Sequence, residues 1–168
     1  MSAGWTLEVT GISTSSTTSA RTRPAGRRAL RGLPSIVRIM ATWEDVRRLA
    51  LALPGTTEDS SPSSRSWRVK DKSLLWERPL RRGDLEALGD AAPDGPILAV
   101  RVADVGVKEA LVSDDPGTYF TTPHFNGYPA VLVRLDEISV EELNDLIVEA
   151  WLSRAPKRLT KEYLDNPP

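Results

Sequence analysis

The chain has one histidine, His124, set in the stretch Thr121-Thr-Pro-His-Phe-Asn-Gly-Tyr-Pro129. An imidazole titrates near neutral pH, so a histidine in a loop can act as a general base or a proton switch. Such chemistry needs partners. Asp114, Asp115 and Asp136 are the candidates. No nucleophile or second acid is marked by spacing, and the GxSxG, HExxH, GxxxxGKS/T and GxGxxG patterns are absent. The chain has no cysteine, which excludes thiolate nucleophiles, thiolate metal ligands and disulfides. A single histidine excludes a multi-histidine zinc site within one chain. The residues therefore predict no catalytic constellation, no metal and no cofactor. His124 reads first as a residue that hydrogen-bonds its turn and helps fix a hairpin.

A second group of residues suits phosphate chemistry. Arg65, Arg68, Lys70, Lys72, Arg78, Arg81 and Arg82 stand against only Asp71 and Glu77, with Trp67 and Trp76 interleaved. Cations beside aromatic rings can contact phosphates and stack bases. The wider charge opposes this, because from Met40 onward there are 22 acidic and 16 basic residues, and such a domain repels a polyanion at long range. The competing reading makes Trp67 and Trp76 core residues and the basic side chains a solvated sheet face. A third reading is a peptide- or small-molecule-binding adaptor that uses an open sheet face lined by Trp67, Trp76 or Tyr128.

The elements that must carry these residues follow from periodicity. The 168 residues, 40% hydrophobic and 27% charged, suit one globular domain. No apolar run approaches the ~20 residues of a membrane helix; the stretch Ile97 to Val107 is broken by Arg101 and Asp104. Residues 1–39 are rich in Ser, Thr and Arg, with Glu8 as their one acid. They read as a disordered extension or a mis-assigned start, with the domain over residues 40–168. Thr42 caps a helix from Trp43 to about Leu53, ended by Pro54-Gly55. Thr56 to Ser64 reads as a polar loop. Strands follow at Arg65–Lys70, Ser73–Glu77 and Ile97–Val102, with an irregular stretch from Pro79 to Pro96. A helix over Val105 to Ser113 is expected to turn Val107, Ala110 and Leu111 inward. Strands at Tyr119–Thr122 and Ala130–Leu135 flank the loop that holds Asn126-Gly127. Ser139-Val-Glu-Glu142 is a capping box for a last long helix. Lys157 to Leu164 forms a short tail element. The result is a two-layer α+β domain with an antiparallel five-stranded sheet.

Several of these segments together resemble the MmcQ/YjbR-like family. They are Leu51-Ala-Leu-Pro-Gly55 with Glu58, Trp67-Arg-Val with Lys72, Thr121-Thr-Pro-His-Phe125, Gly127-Tyr-Pro-Ala-Val-Leu-Val133, and Ala150-Trp-Leu with Ala155-Pro-Lys-Arg-Leu159. The similarity spans about residues 40–164. It implies a YjbR-like fold in α-β(3)-α-β(2)-α order, related in architecture to type III secretion chaperones. It makes Thr122, Pro123, His124, Phe125, Gly127 and Tyr128 a hallmark loop, and it carries no agreed catalytic residues. It also implies the family's customary label, a DNA-binding protein. The resulting expectation is a cytoplasmic, bacterial-type protein, monomeric or weakly dimeric, that binds DNA through the Arg65–Arg82 hairpin. The alternative is a non-catalytic peptide- or small-ligand adaptor, and no membrane association is expected on either reading.

Overall fold

Thr42 opens the first helix, α1 (Trp43–Leu51), through a reciprocal capping box with Asp45. The structure, a computed structural model, describes residues 38–167. The Ser/Thr/Arg-rich stretch before Arg38 lies outside the described residues. After α1 come β1 (Thr56–Ser61), β2 (Ser64–Val69), β3 (Lys72–Glu77), α2 (Arg82–Leu88), β4 (Ile97–Arg101) and α3 (Val105–Asp114). Then follow β5 (Tyr119–Phe120), β6 (Ala130–Arg134), α4 (Val140–Arg154) and α5 (Lys157–Asp165). The six strands form one antiparallel sheet in the order β1-β2-β3-β4-β6-β5. No helix among the described residues is long and apolar enough to cross a membrane.

Strand alternation decides what each sheet face carries. Leu98 pairs with Val133 and Ala99 with Leu132, so neighbouring strands present matched faces. Trp67, Leu75, Leu98, Val100, Val131 and Val133 turn to the face that α1 and α4 cover, where Val46, Leu143, Ile147 and Trp151 complete the main core. Trp151 is fully buried, donates its indole N–H to the Pro54 carbonyl at 3.1 Å and packs on Tyr163 of α5. Ile97, Ala99, Phe120 and Leu132 turn to the other face, where Phe125, Trp76, Leu80 and Leu88 form a smaller cluster. This second cluster anchors the loop between β5 and β6.

The α+β class and antiparallel sheet agree with the sequence reading, and four details differ. The sheet has six strands, because Thr56–Ser61 pairs along β2 from Thr56↔Val69 to Ser61↔Ser64. Only Thr56 and Glu58 in it are even half-buried, so it lacks the apolar alternation that marks a strand in sequence. It is an edge strand, and its polar residues suit an unpaired edge. The stretch read as irregular contains α2, where the Asp84 carboxylate accepts the Arg81 backbone N–H at 2.9 Å. In α3, Val107 and Ala110 are exposed and Lys108 is the buried residue. The long helix starts as expected, with Ser139 Oγ accepting the Glu142 N–H at 3.2 Å. Glu142, however, turns its carboxylate to the Tyr119 hydroxyl, at 2.9 Å. Burial first, and this acid second, push the Tyr119 hydroxyl above its usual range.

The Met40 boundary meets the structure at its margin. The Ile39 carbonyl accepts the Val140 N–H at 3.1 Å and Ala41 donates to Ile138 at 2.9 Å, so the chain just before α1 is tied to the start of α4. Ser139→Ala removes the α4 cap and is expected to cost about 1 kcal/mol. A two-state urea titration checks this, and an unchanged midpoint would contradict the cap's role.

Candidate functional site

The site begins where β3 leaves the sheet. Trp76 lies on the second face, half-buried, with its ring centroid 6.4 Å from that of Phe125. Two residues on, Arg78 is only 8% exposed, and a buried guanidinium requires partners. Its Nη2 donates to Asp84 Oδ2 at 2.8 Å, its Nη1 donates to the Pro79 carbonyl, and its Cζ lies 5.6 Å from the Phe125 ring centre. Burial alone would raise the Asp84 carboxyl. The Arg81 amide and the Arg78 cation outweigh burial and hold it below the usual carboxylate range.

The other wall is the hallmark loop. Thr122 is buried, and Pro123–Phe125 forms a single 3-10 turn closed by the Phe125 N–H on the Thr122 carbonyl at 2.9 Å. Gly127 takes φ of +69°, a left-handed conformation that favours glycine. Lys108 reaches this turn from α3. Its Nζ donates to the Phe125 carbonyl at 2.7 Å and to the Tyr128 carbonyl at 3.0 Å. The Arg101 guanidinium lies 4.5 Å from the Tyr128 ring centre, within cation–π range.

Between these walls lies a cleft of about 720 Å³. Ser64, Trp76, Arg81, His124, Phe125 and Tyr128 are among its lining residues. Trp76, Phe125 and Tyr128 form a run of neighbouring rings, with Phe125 and Tyr128 centred 6.1 Å apart and His124 edge-on to Phe125 at 5.2 Å. Arg81 and His124 are exposed at the rim. Among the described residues, no group of three His, Asp or Glu side chains that could hold a metal ion occurs. The arrangement offers stacking surface, hydroxyls and guanidinium charge.

The structure separates the residues of the basic hairpin. Arg65 and Arg68 stand an odd number of positions apart on β2, with a register irregularity between Trp67 and Arg68. Arg65 lies 5.3 Å over Trp43 and pairs with Glu77 at 3.6 Å. Trp67 is fully buried and stacks on Trp43 at 6.4 Å, so it is a core ring. Lys70 sits in the β2–β3 turn with φ of 55°. Lys72 borders a hollow beside α5, and Arg82 pairs with Glu86 at 2.9 Å. Of the hairpin set, Trp76, Arg78 and Arg81 join the cleft, where they meet His124, Phe125, Gly127 and Tyr128 of the loop. Asp84, Arg101 and Lys108 complete the site's support and were missed as site residues. Lys108 carries no sequence signal, because a lysine in a short helix reads as solvated.

Comparison with known proteins agrees with this architecture. The crystal structure of Deinococcus radiodurans protein DR2400, with its DUF419 domain, superposes with a TM-score of 0.52 at 22% identity, covering 73% of this chain and 88% of that one. Uncharacterised proteins of Mycobacterium tuberculosis and Mycobacterium bovis are 57% identical over 130 residues, which is 76% of this chain and 98% of each relative. The YjbR family model matches residues 51–153, a span that includes the cleft and both of its walls. The chain belongs to the YjbR family.

Proposed function

We propose that the chain is a non-catalytic binding protein whose cleft takes a small, flat, anionic ligand. One observation carries the reading: Trp76, Phe125 and Tyr128 converge with the exposed Arg81 on one cleft of about 720 Å³. That size falls in the range of small-ligand sites, which combine apolar walls with a few directed polar groups. Aromatic rings supply stacking area, and a guanidinium recognises carboxylate or phosphate oxygens in a fixed plane.

DNA binding persists in a narrower form. Arg68 is exposed near Trp76's side of the hairpin, so a single strand can place a base in the cleft and phosphates on Arg68 and Arg81. Duplex binding finds little support, since Arg65, Arg78 and Arg82 are engaged with Glu77, Asp84 and Glu86.

Adenosine monophosphate serves as a ring-plus-phosphate probe, with adenosine and inorganic phosphate as its separate halves. Calorimetric titration is expected to show binding of the monophosphate, with each half weaker. Arg81→Glu and Tyr128→Ala, both at exposed positions, should each weaken it by about tenfold or more, about 1.4 kcal/mol. A fluorescein-labelled oligothymidylate tests the strand. Tighter binding of the oligonucleotide than of the mononucleotide would favour DNA, and no binding of either probe would refute the cleft reading.

A further inference from the structure

A second concavity lies between α3 and α4, away from the cleft, and its chemistry is the reverse. It has a volume of about 350 Å³, with Val107 and Leu111 on one side, Leu146 and Ala150 on the other, and Tyr119 also lining it. Val107 is 40% exposed, an apolar side chain left open to solvent on a short helix. The rim is acidic. Glu142, Asp145 and Glu149 all border the groove from α4, and their i, i+3, i+7 spacing places them along one side of the helix.

The basic residues of these two helices do not meet the acidic rim. Lys108, the single basic residue of α3, is buried beneath the hallmark loop. The single basic residue of α4, Arg154, is at its far end. Among the described residues, one cation reaches the rim: Arg38 Nη2 lies 3.6 Å from Glu142 Oε2. The other Glu142 oxygen accepts from Tyr119. Glu142 is thus engaged on both oxygens, while Asp145 and Glu149 are exposed.

We propose that this groove is a docking site for a basic amphipathic helix of a partner protein. The partner's apolar side chains enter between Val107 and Leu146, and two of its Lys or Arg residues, one turn apart, meet Asp145 and Glu149. The fit is geometric as well as electrostatic. Asp145 and Glu149 are themselves one turn apart, about 6 Å along the axis, which matches the i, i+4 spacing of cations on a facing helix. The acidic rim repels phosphates, so neither a nucleic acid nor an anionic membrane surface suits it.

The test uses the full chain and a fluorescein-labelled synthetic peptide of about 18 residues, long enough to form a helix, with leucines on one face and flanking arginines. Fluorescence anisotropy is expected to show saturable binding. Asp145→Lys with Glu149→Lys should weaken it by about tenfold or more, and leucine-to-serine replacement in the peptide should abolish it. Val107→Gln, at an exposed position, reads the apolar wall independently should the charge-reversed protein not fold, and is expected to weaken binding several-fold. Several results would overturn the proposal. They are no saturable binding, equal binding of a scrambled peptide of the same composition, indifference to the charge reversal, or full displacement by equimolar spermidine, which would mark a small-cation site.

Discussion

Asp84→Ala is expected to destabilise the fold by about 3 kcal/mol, because it leaves the Arg78 guanidinium buried without its counter-charge. The side chains of this pair are 10% and 6% exposed, and the carboxylate also holds the Arg81 amide at the start of α2. The loss is placed at the low end for buried pairs, since both residues also line a surface hollow with Pro123 and His124. Chemical denaturation of wild type and variant measures it. Arg78→Met with Asp84→Ala should recover part of the loss, since removing both charges is cheaper than stranding one. A loss below about 1 kcal/mol would mean that Arg78 reaches water on its own.

The same pair has a pH signature. The folded Asp84 carboxyl is held below its ordinary value of 3.8. Its contribution is therefore complete above that value and is lost progressively as pH falls from there through the lower, folded value. Asp45 and Asp115 are lowered too, by hydrogen bonds from Thr42 and Thr118 respectively. Wild type should thus lose stability steeply on acidification, and Asp84→Ala should show a shallower acid limb. Parallel acid limbs would remove Asp84 from the account.

Lys108→Met is the second large effect. Methionine fills similar space but donates nothing, so the carbonyls of Phe125 and Tyr128 lose a donor each. Each carbonyl keeps a backbone donor, the Tyr128 N–H at 3.0 Å and the Ala130 N–H at 2.8 Å respectively, so what is lost is two bonds from a charged donor, each contributing about 1.5–3 kcal/mol. Relief of the ammonium's own desolvation offsets part of this, for a net loss of about 2 kcal/mol. The location of the effect matters more than its size. Amide hydrogen exchange should accelerate at Asn126 to Tyr128 while α4 keeps its protection. Binding of the nucleotide probe should weaken with the loosened loop. Uniform acceleration across α4 would instead mean that Lys108 supports the whole fold.

The sequence made some of this legible and left the rest hidden, for identifiable reasons. The long helix was readable because Leu143, Leu146, Ile147, Ala150 and Trp151 repeat at helical spacing behind Ser139. The central strands were readable because they are buried on both faces and nearly continuous in apolar residues. The edge strand β1 was not, since a strand of Thr, Glu, Asp and Ser owes its form to the partner it pairs with. The hairpin's charges were countable but their directions were not. Whether Arg65 and Arg68 share a surface depends on strand register, and whether Arg78 is a ligand contact or a buried strut depends on Asp84 meeting it from the next helix.

By itself the sequence determined the α+β class, because periodicity, caps and turn residues act locally, and its motifs in order, the loop around His124 among them, carried the resemblance to the family. The tertiary structure decided where chemistry is available. It sent Trp67 into the core and Trp76 to a cleft, turned Lys108 under a loop, and opened an acidic groove between α3 and α4. These outcomes depend on contacts between residues far apart in the chain, which no local pattern encodes.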